Sequence, residues 1–201
     1  MNSPELYLAS RSPRRADYLT QLGLRFEILS ADIPEHPQPG QSPADYARAI
    51  AIDKARAAAQ LAPRPLLVLG ADTDVAIDGD ILGKPRDRDD AIAMLLRLSG
   101  RQHEVYSAVA LVDGERVESV VVVTRVQVGV IDAAEAGAYW DSGEPRDKAG
   151  AYALQGLAGR WIVGIEGSVS NVVGLPLYET VGLLKRFGLK PRFPQPTILP
   201  P

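Results

Sequence analysis

The sequence predicts one α/β domain in which a long mixed β-sheet, flanked by helices, forms two lobes around a cleft. Three observations support this fold class. A strand-like run at residues 5–9 is followed by a helical apolar stripe at residues 18–22, as in a βα unit. The continuous apolar run at residues 66–69 is typical of a strand buried on both faces. Asp113-Gly114 separates two long apolar stretches, which indicates a long antiparallel hairpin.

The other elements follow from turn and capping signals. Asp78-Gly79 is a strong hairpin turn, and Asp87 is expected to cap a helix that Gly100 ends. Asp132 and Glu135 resemble a capping box. Further strands are expected at 26–29, 75–77 and 161–165, and further helices at 44–61 and 176–187. Residues 1–190 are expected to form a single domain, followed by a Pro-rich tail at 191–201.

Composition restricts the class of protein. Hydrophobic residues make up 46% of the 201 residues, which is enough for an ordinary core. The chain contains no cysteine, which excludes disulfides and cysteine-based zinc sites. A net charge of −3 gives no general attraction to nucleic acid, and no apolar run reaches the roughly 18 residues of a membrane span. We therefore expect a cytoplasmic protein with neither a nucleic-acid nor a membrane partner.

A basic segment lies where the first predicted helix begins. Ser12 is a suitable N-cap, Pro13 a suitable first helical residue, and Arg14 and Arg15 follow in the first turn. Cations are unfavourable at a helix N-terminus unless an anion binds there. The segment from Ser10 to Arg15 therefore indicates a polyphosphate site, although a capped helix with solvated arginines remains an equal alternative.

Three further candidates are a carboxylate and two lysines. Asp72, in Gly70-Ala71-Asp72-Thr73, follows the apolar run 66–69 and is expected beyond the carboxyl end of that strand, where a metal or a water can bind. Lys84 lies between a glycine and a proline, which fixes its direction. Lys54 lies on the Ala-rich helix. Taken alone, each lysine is more often a solvated surface group, and Asp72 more often belongs to a polar strand-to-turn junction.

Polar residues alternate with small ones at residues 143–156. Asp147, Lys148 and Gln155 are the candidates for substrate contact, because small neighbours let a ligand approach the backbone. The Gln155 amide both donates and accepts, as recognition of a base requires. The alternative is a glycine-rich loop with ordinary surface charges. His103 precedes a strand and is expected to be structural.

Taken together, these segments resemble the Maf family of nucleotide pyrophosphatases. The resemblance extends in order from residue 6 to about residue 187. Any one match is weak, but the ordered set is specific. The matching segments are Leu8-Ala9-Ser10, Ser12-Pro13-Arg14-Arg15, Gly70-Ala71-Asp72-Thr73, Leu82-Gly83-Lys84-Pro85, Leu98-Ser99-Gly100 with His103, Gly143-Glu144-Pro145, Asp147-Lys148-Ala149-Gly150-Ala151-Tyr152, Gln155-Gly156, Gly167-Ser168 and Asn171-Val172-Val173-Gly174-Leu175-Pro176-Leu177.

The resemblance implies a fold similar to the inosine triphosphate pyrophosphatases, commonly a homodimer, and a divalent metal, Mg²⁺ or Mn²⁺. It implies hydrolysis of a nucleoside triphosphate to the monophosphate and pyrophosphate, in the branch that acts on dTTP and UTP. Asp72 matches the proton acceptor, and Arg14, Thr73 and Gln155 match the specificity positions. Other matching cleft positions are Ser10, Arg15, Glu35, Lys54 and Lys84. We expect Asp72, alone or with Glu35, to hold the metal.

Two departures from the family pattern stand out. Asp74 replaces the usual aliphatic residue and adds a carboxylate near Asp72, which can alter metal affinity or raise a neighbouring pKa. Ala153-Leu154 replaces the usual Gly-Ile before Gln155. Two other functions stay open: a pyrophosphatase for 7-methyl-GTP, and a nucleotide-binding regulator of cell division in which turnover is incidental.

Overall fold

The computed structural model describes residues 3–193. The strands are β1 (Leu6–Leu8), β2 (Phe26–Ile28), β3 (Leu67–Ile77), β4 (Asp80–Leu82), β5 (Gln102–Asp113), β6 (Arg116–Val128) and β7 (Ile162–Glu166). The helices are α1 (Pro13–Gln21), α2 (Pro43–Leu61), α3 (Arg88–Leu98), α4 (Ala133–Asp141), α5 (Val169–Val173) and α6 (Leu177–Arg186). The division into a domain at 1–190 and a tail at 191–201 stays a prediction, because residues 194–201 lie outside the described residues.

The strands form one mixed sheet of seven. Six of them lie in the order β2-β1-β3-β5-β6-β7, and β4 pairs with β3. The short strand β1 is parallel to both of its neighbours, β2 and β3. From β3 onward the pairs with β5, β6 and β7 are antiparallel. The predicted long mixed sheet flanked by helices is therefore confirmed.

The predicted position of Asp72 at the carboxyl end of a strand is wrong. Strand β3 does not end near Leu69 but runs on to Ile77, because β5 pairs with it as far as Ala76, opposite Glu104. Asp72 therefore lies in the middle of β3, opposite Ala108 of β5. The strand that ends here is the neighbouring β1, whose last pair joins Leu8 to Leu69. The open edge that β1 leaves along β3 makes room for the cleft.

Helix α2 packs unusually close to β3, because both contribute small residues. Its buried face consists mainly of alanines, and β3 presents Gly70 to it. A Cβ atom built on Gly70 would lie 2.2 Å from the carbonyl oxygen of Ala51, far inside any normal contact. Only glycine fits at this position. The close approach brings Lys54, three residues after Ala51 on α2, against Asp72.

Two predicted helix caps and one predicted hairpin turn are confirmed. Asp87 caps α3 by accepting a hydrogen bond from the backbone N–H of Asp90. Asp132 and Glu135 form both hydrogen bonds of a capping box at the start of α4. Asp78 and Gly79 both have positive φ, 57° and 84°, as the predicted hairpin between β3 and β4 requires. Local sequence signals thus fix the ends of these elements.

The described residues form three hydrophobic cores. One joins β1, α1 and α6 through residues such as Leu8, Leu19 and Leu183. A second joins α3 and α4 to the segment around Tyr152 and Trp161. A third packs the alanines of α2 against the opposite face of the sheet from the first. The predicted cleft is present beside these packed groups. Within residues 3–193, no helix is both long and apolar enough to cross a membrane.

Candidate active site

A cleft of about 770 Å³ opens between the N-terminal half of the sheet and the segment at residues 147–155. Its walls include the start of α1, the loop at residues 30–36, the middle of β3 with the facing side of α2, the loops at 83–84 and 147–155, and residues 172–174. All of the predicted site residues lie in its walls: Ser10, Arg14, Arg15, Glu35, Lys54, Asp72, Thr73, Lys84, Asp147, Lys148 and Gln155. The fold therefore brings together groups that are up to about 145 residues apart in the sequence.

Lys54 and Asp72 form the centre of the cleft. The Lys54 Nζ atom lies 2.7 Å from Oδ1 of Asp72 and 3.0 Å from Oε1 of Glu35. The Lys54 side chain is only 14% exposed, so the alternative of a surface lysine is wrong. One buried cation holds two carboxylates from different segments, which fixes the orientation of Asp72. Glu35 comes from the long loop between β2 and α2, where the sequence pattern alone gave no signal for it.

Asp74 adds a second buried carboxylate beside Asp72. The two residues are two positions apart on β3 and so point to the same face. Burial, and then the negative charge of Asp72, raise the pKa of Asp74 to about 8. We expected Asp74 to raise a neighbour's pKa. One neighbour whose pKa is raised is Tyr46 of α2, where burial is the larger cause and the charge of Asp74 comes next. The pKa of Asp74 itself is also raised.

Arg15 is buried and extensively hydrogen-bonded. Its Nε atom donates to the carbonyl oxygen of Gly174 at 2.9 Å, its Nη1 atom to Oγ of Ser10 at 3.0 Å, and its Nη2 atom to Oγ1 of Thr73 at 3.1 Å. The alternative of a solvated arginine is therefore wrong for Arg15. Burial lowers its pKa, while the nearby carboxylate of Asp72 acts in the opposite direction. Arg15 links the start of α1 to β3 across the floor of the cleft.

The start of α1 faces the same cleft. Ser12 is the N-cap and Pro13 the first helical residue, as predicted, but within the described chain the Ser12 side chain makes no capping hydrogen bond. Instead, the Ser12 backbone N–H donates to Oγ of Ser10 at 3.2 Å. Half-buried Arg14 donates from Nε to the carbonyl oxygen of Val173 at 3.3 Å. Helix N–H groups and two guanidinium groups therefore produce positive potential at one end of the cleft.

The opposite wall depends on a strained loop. Gly150 and Ala151 both have positive φ, 66° and 57°, and the Gly150 N–H donates to the carbonyl oxygen of Gly83 at 3.0 Å. A Cβ atom on Gly150 would lie 2.9 Å from Cγ1 of Val75. The loop is thus held directly on β3 and on the turn that carries exposed Lys84. Lys148, which is ion-paired with Asp147, lies on the same wall.

Gln155 is held at the rim by residues behind the cleft. Glu144 accepts hydrogen bonds from Tyr139 Oη at 2.7 Å and from the backbone N–H of Leu157 at 3.0 Å. The Tyr139 hydroxyl also accepts from the Ala153 N–H at 3.1 Å. These bonds anchor the loop on both sides of exposed Gln155. Sequence reasoning missed Glu144 as an organising residue, and only its place in the Gly143-Glu144-Pro145 motif marked it.

His103 is structural, as expected. It is 2% exposed, and its Nε2 atom lies 2.9 Å from the hydroxyl oxygen of Tyr152. Burial lowers the pKa of His103 to about 4, so the imidazole is neutral near pH 7. Tyr152 lines the cleft, whereas His103 lies behind it. The pair therefore supports the wall.

The oxygen donors in the cleft suit a hard divalent cation. Asp72, Glu35 and Asp74 are carboxylates, the ligands that Mg²⁺ prefers alongside water and phosphate. Asp74 Oδ2 is buried and finds no hydrogen-bond partner among residues 3–193. Over the same residues, no group of three or more acidic, histidine or cysteine side chains is arranged to hold a metal. The donor set therefore fits a cation that takes part of its coordination from substrate or water.

A family model supports the resemblance that the motifs indicated. The model described as Maf-like protein matches residues 5–187, which includes every residue assigned to the cleft. The chain belongs to the Maf family. Its members include the dTTP/UTP pyrophosphatase of Hahella chejuensis, which is 52% identical over 187 residues, covering 92% of this chain and 93% of the relative.

A second Maf relative gives the same result. The dTTP/UTP pyrophosphatase of Myxococcus xanthus is 52% identical over 184 residues, again covering 92% of this chain and 93% of the relative. Among solved structures, the Staphylococcus aureus Ham1 protein aligns with 61% of this chain and 71% of its own, at 14% identity and a TM-score of 0.45. The assignment to the Maf family depends on the sequence matches.

Proposed function

We propose that this Maf-family chain hydrolyses dTTP and UTP, and modified pyrimidine nucleotides of the same shape, to the monophosphate and pyrophosphate. One observation carries the proposal: an Asp72–Lys54–Glu35 cluster, in which Asp72 and Lys54 are largely buried, lies in the same cleft as the basic start of α1. The cluster provides a base, and the basic groups provide a place for phosphates. The names of relatives at about half identity agree with this reaction.

The basic groups would bind the triphosphate. A nucleoside triphosphate carries about four negative charges near neutral pH, and stabilising that charge is the main task in phosphoryl chemistry. Arg14 and the α1 N-terminus stand at one end of the cleft, and Lys84 and Lys148 on the opposite wall. Arg15 and Ser10 bind each other at 3.0 Å, so both contribute mainly by holding this end of the cleft in shape.

Asp72 would act as the general base. It accepts a proton from a water whose oxygen attacks the α-phosphorus. The bond from that phosphorus to the oxygen bridging to the β-phosphate breaks, and the electron pair leaves with pyrophosphate. Lys54 holds the Asp72 carboxylate in a fixed orientation through its 2.7 Å contact. Glu35 holds Lys54 in turn at 3.0 Å.

A divalent cation, Mg²⁺ or Mn²⁺, fits Asp72, alone or with a second carboxylate of the cleft such as Glu35, as the sequence predicts. When bound, it would supply charge neutralisation for the phosphates and lower the barrier to water deprotonation. Asp147 lies at the far wall in an ion pair with Lys148, where it would hold the Lys148 ammonium toward the cleft.

Base selection would come from the rim. Gln155 is exposed there, and its amide would donate to and accept from a pyrimidine edge. The Thr73 hydroxyl accepts from Arg15 and lies 2.8 Å from Oγ of Ser107. We infer that Thr73 acts on selectivity by positioning Arg15, with Arg14 nearer to the nucleotide.

Pyrophosphate release from dTTP, UTP, CTP, purine triphosphates and 7-methyl-GTP, with Mg²⁺ or Mn²⁺ and with chelator, tests the proposal. Metal-dependent release confined to dTTP and UTP is the expected result. Preference for 7-methyl-GTP would keep the chemistry and remove the role given to Gln155. Tight binding without turnover of any nucleotide would identify a nucleotide-binding regulator instead.

Two further expectations remain proposals. The homodimer implied by the family resemblance is tested by sedimentation of the purified chain. The cytoplasmic location is tested by fractionating cells that produce it.

A further inference from the structure

Asp74 is a buried carboxylate to which the proposed mechanism gives no role. It lines the cleft and is 7% exposed. Its Oδ2 atom is buried without a hydrogen-bond partner among the described residues. Buried carboxylate oxygens nearly always have a donor or a cation beside them, because loss of hydration is otherwise uncompensated. The unpartnered oxygen therefore marks a position for a ligand.

The basic side chains nearby are engaged with other groups. The Lys54 ammonium binds Asp72 and Glu35. Arg15 donates to Thr73, whose side chain points to the opposite face of β3 from Asp74. Asp74 thus stands beside Asp72 with a buried oxygen, Oδ2, that neither cation binds. Asp72 and Asp74 lie two positions apart on β3, so both side chains point to the same face and both line the cleft, where one cation can contact both.

We propose that Asp74 and Asp72 together form the two-carboxylate site for the divalent cation, and that the unpartnered Oδ2 atom of Asp74 is one of its ligands. Mg²⁺ and Mn²⁺ commonly bind through one or two carboxylates, with waters and substrate phosphates completing the shell. This agrees with the lack of a preformed three-residue group within residues 3–193. Glu35 remains paired with Lys54 and positions that lysine. The inference rests on the proposed function, because substrate phosphates complete the shell.

Mn²⁺ binding tests the inference without measuring turnover. The electron paramagnetic resonance signal of free Mn²⁺ is followed during titration of the full chain, alone and with a dTTP analogue whose α- and β-phosphorus atoms are bridged by an imido group. Asp74→Asn should weaken Mn²⁺ binding about tenfold or more, since even indirect partners of metal ligands change affinity about 10–100-fold. Asp72→Asn should have a similar effect. Glu35→Gln should change Mn²⁺ affinity less than either.

Asp53→Asn is the matched control. It removes the same charge from an exposed position on α2 beside Lys54 and should leave Mn²⁺ affinity within about twofold, because exposed charges are screened. Asp74→Val provides a second variant if Asp74→Asn folds poorly, and thermal melting confirms that each variant is folded. Wild-type Mn²⁺ affinity in either folded Asp74 variant would overturn the inference, as would a larger effect of Glu35→Gln than of Asp74→Asn.

Mn²⁺ titration and the pyrophosphate-release assay together distinguish failure of this metal site from failure of the proposed function. Mn²⁺ binding that depends on Asp74, in a protein that releases no pyrophosphate from dTTP or UTP, would keep the metal site and remove the function. Hydrolysis of both nucleotides, with Mn²⁺ affinity unaffected by Asp74→Asn, would keep the function and remove this assignment.

Discussion

Asp74→Asn should change how the stability of the metal-free protein depends on pH. The substitution keeps the shape of the side chain and removes its titration. In the folded chain, burial and the neighbouring Asp72 raise the pKa of Asp74 from 3.8 to about 8. Between those values the folded state holds a proton that the unfolded state has released, so the free energy of unfolding falls as pH rises. The stabilising contribution is complete below about pH 4 and is lost as pH approaches 8.

The magnitude follows from the width of that window. One pKa unit corresponds to about 1.4 kcal/mol, so between pH 5 and pH 7 Asp74 should lower the free energy of unfolding by about 3 kcal/mol. This is a large part of the roughly 5–15 kcal/mol that stabilises a typical domain. Carboxylates distant from Asp74 titrate alike in both proteins, so their contribution cancels in the difference between wild type and variant. The variant should gain relative stability steadily as pH rises.

Urea denaturation at pH 5, 6 and 7, followed by circular dichroism with a chelator present, measures this difference directly. The difference should increase by about 1.4 kcal/mol for each pH unit. Asp53→Asn, at an exposed position on α2, should show a constant difference from wild type. A difference for Asp74→Asn that stays constant from pH 5 to pH 7 would refute the assignment of a protonated, buried Asp74.

Three other substitutions test the rest of the cleft. Asp72→Asn should lower kcat for dTTP by about 100-fold or more, as expected for loss of a general base, with little change in KM; an unchanged kcat in steady-state assays would remove Asp72 as the base. Gly70→Ala should destabilise the protein by about 1–3 kcal/mol in urea denaturation and should also lower kcat. The added Cβ would lie 2.2 Å from the Ala51 carbonyl oxygen and push α2 and Lys54 away from Asp72. A wild-type free energy of unfolding and a wild-type kcat would contradict the close packing. Glu144→Gln should raise KM for dTTP while kcat changes less, since it weakens the anchoring of the Gln155 loop; an unchanged KM would show that the loop keeps its place without the carboxylate.

Sequence patterns predicted the elements whose ends are set by neighbouring residues. The Asp87 cap, the Asp132–Glu135 capping box and the Asp78-Gly79 turn all depend on contacts within a few positions. The motifs also named residues that the fold brings into one cleft. Their individual roles came from the family resemblance and stay predictions.

Features that depend on distant pairing were not visible in the sequence. The Asp72-Thr73-Asp74 run looks like a polar turn, but pairing with β5 keeps it in the strand. The burial of Lys54 depends on Gly70 letting α2 approach β3. Similarly, Arg15 is buried because its hydrogen-bond partners include Thr73 and Gly174, which lie far along the chain.

The same packing explains why two carboxylates can share one buried strand face. Strand β1 ends at Leu8 and β4 pairs with β3 only from Val75 onward, so residues 70–74 of β3 have a strand neighbour only on the β5 side and stand open toward the cleft. Gly70, two positions before Asp72 on the same strand face, lets α2 close over the strand and supply Lys54 to one carboxylate. That single ammonium also binds Glu35, which leaves the Asp74 carboxylate without a protein cation bonded to it. The fold thus neutralises one carboxylate of the pair, and the other needs a proton or a metal ion.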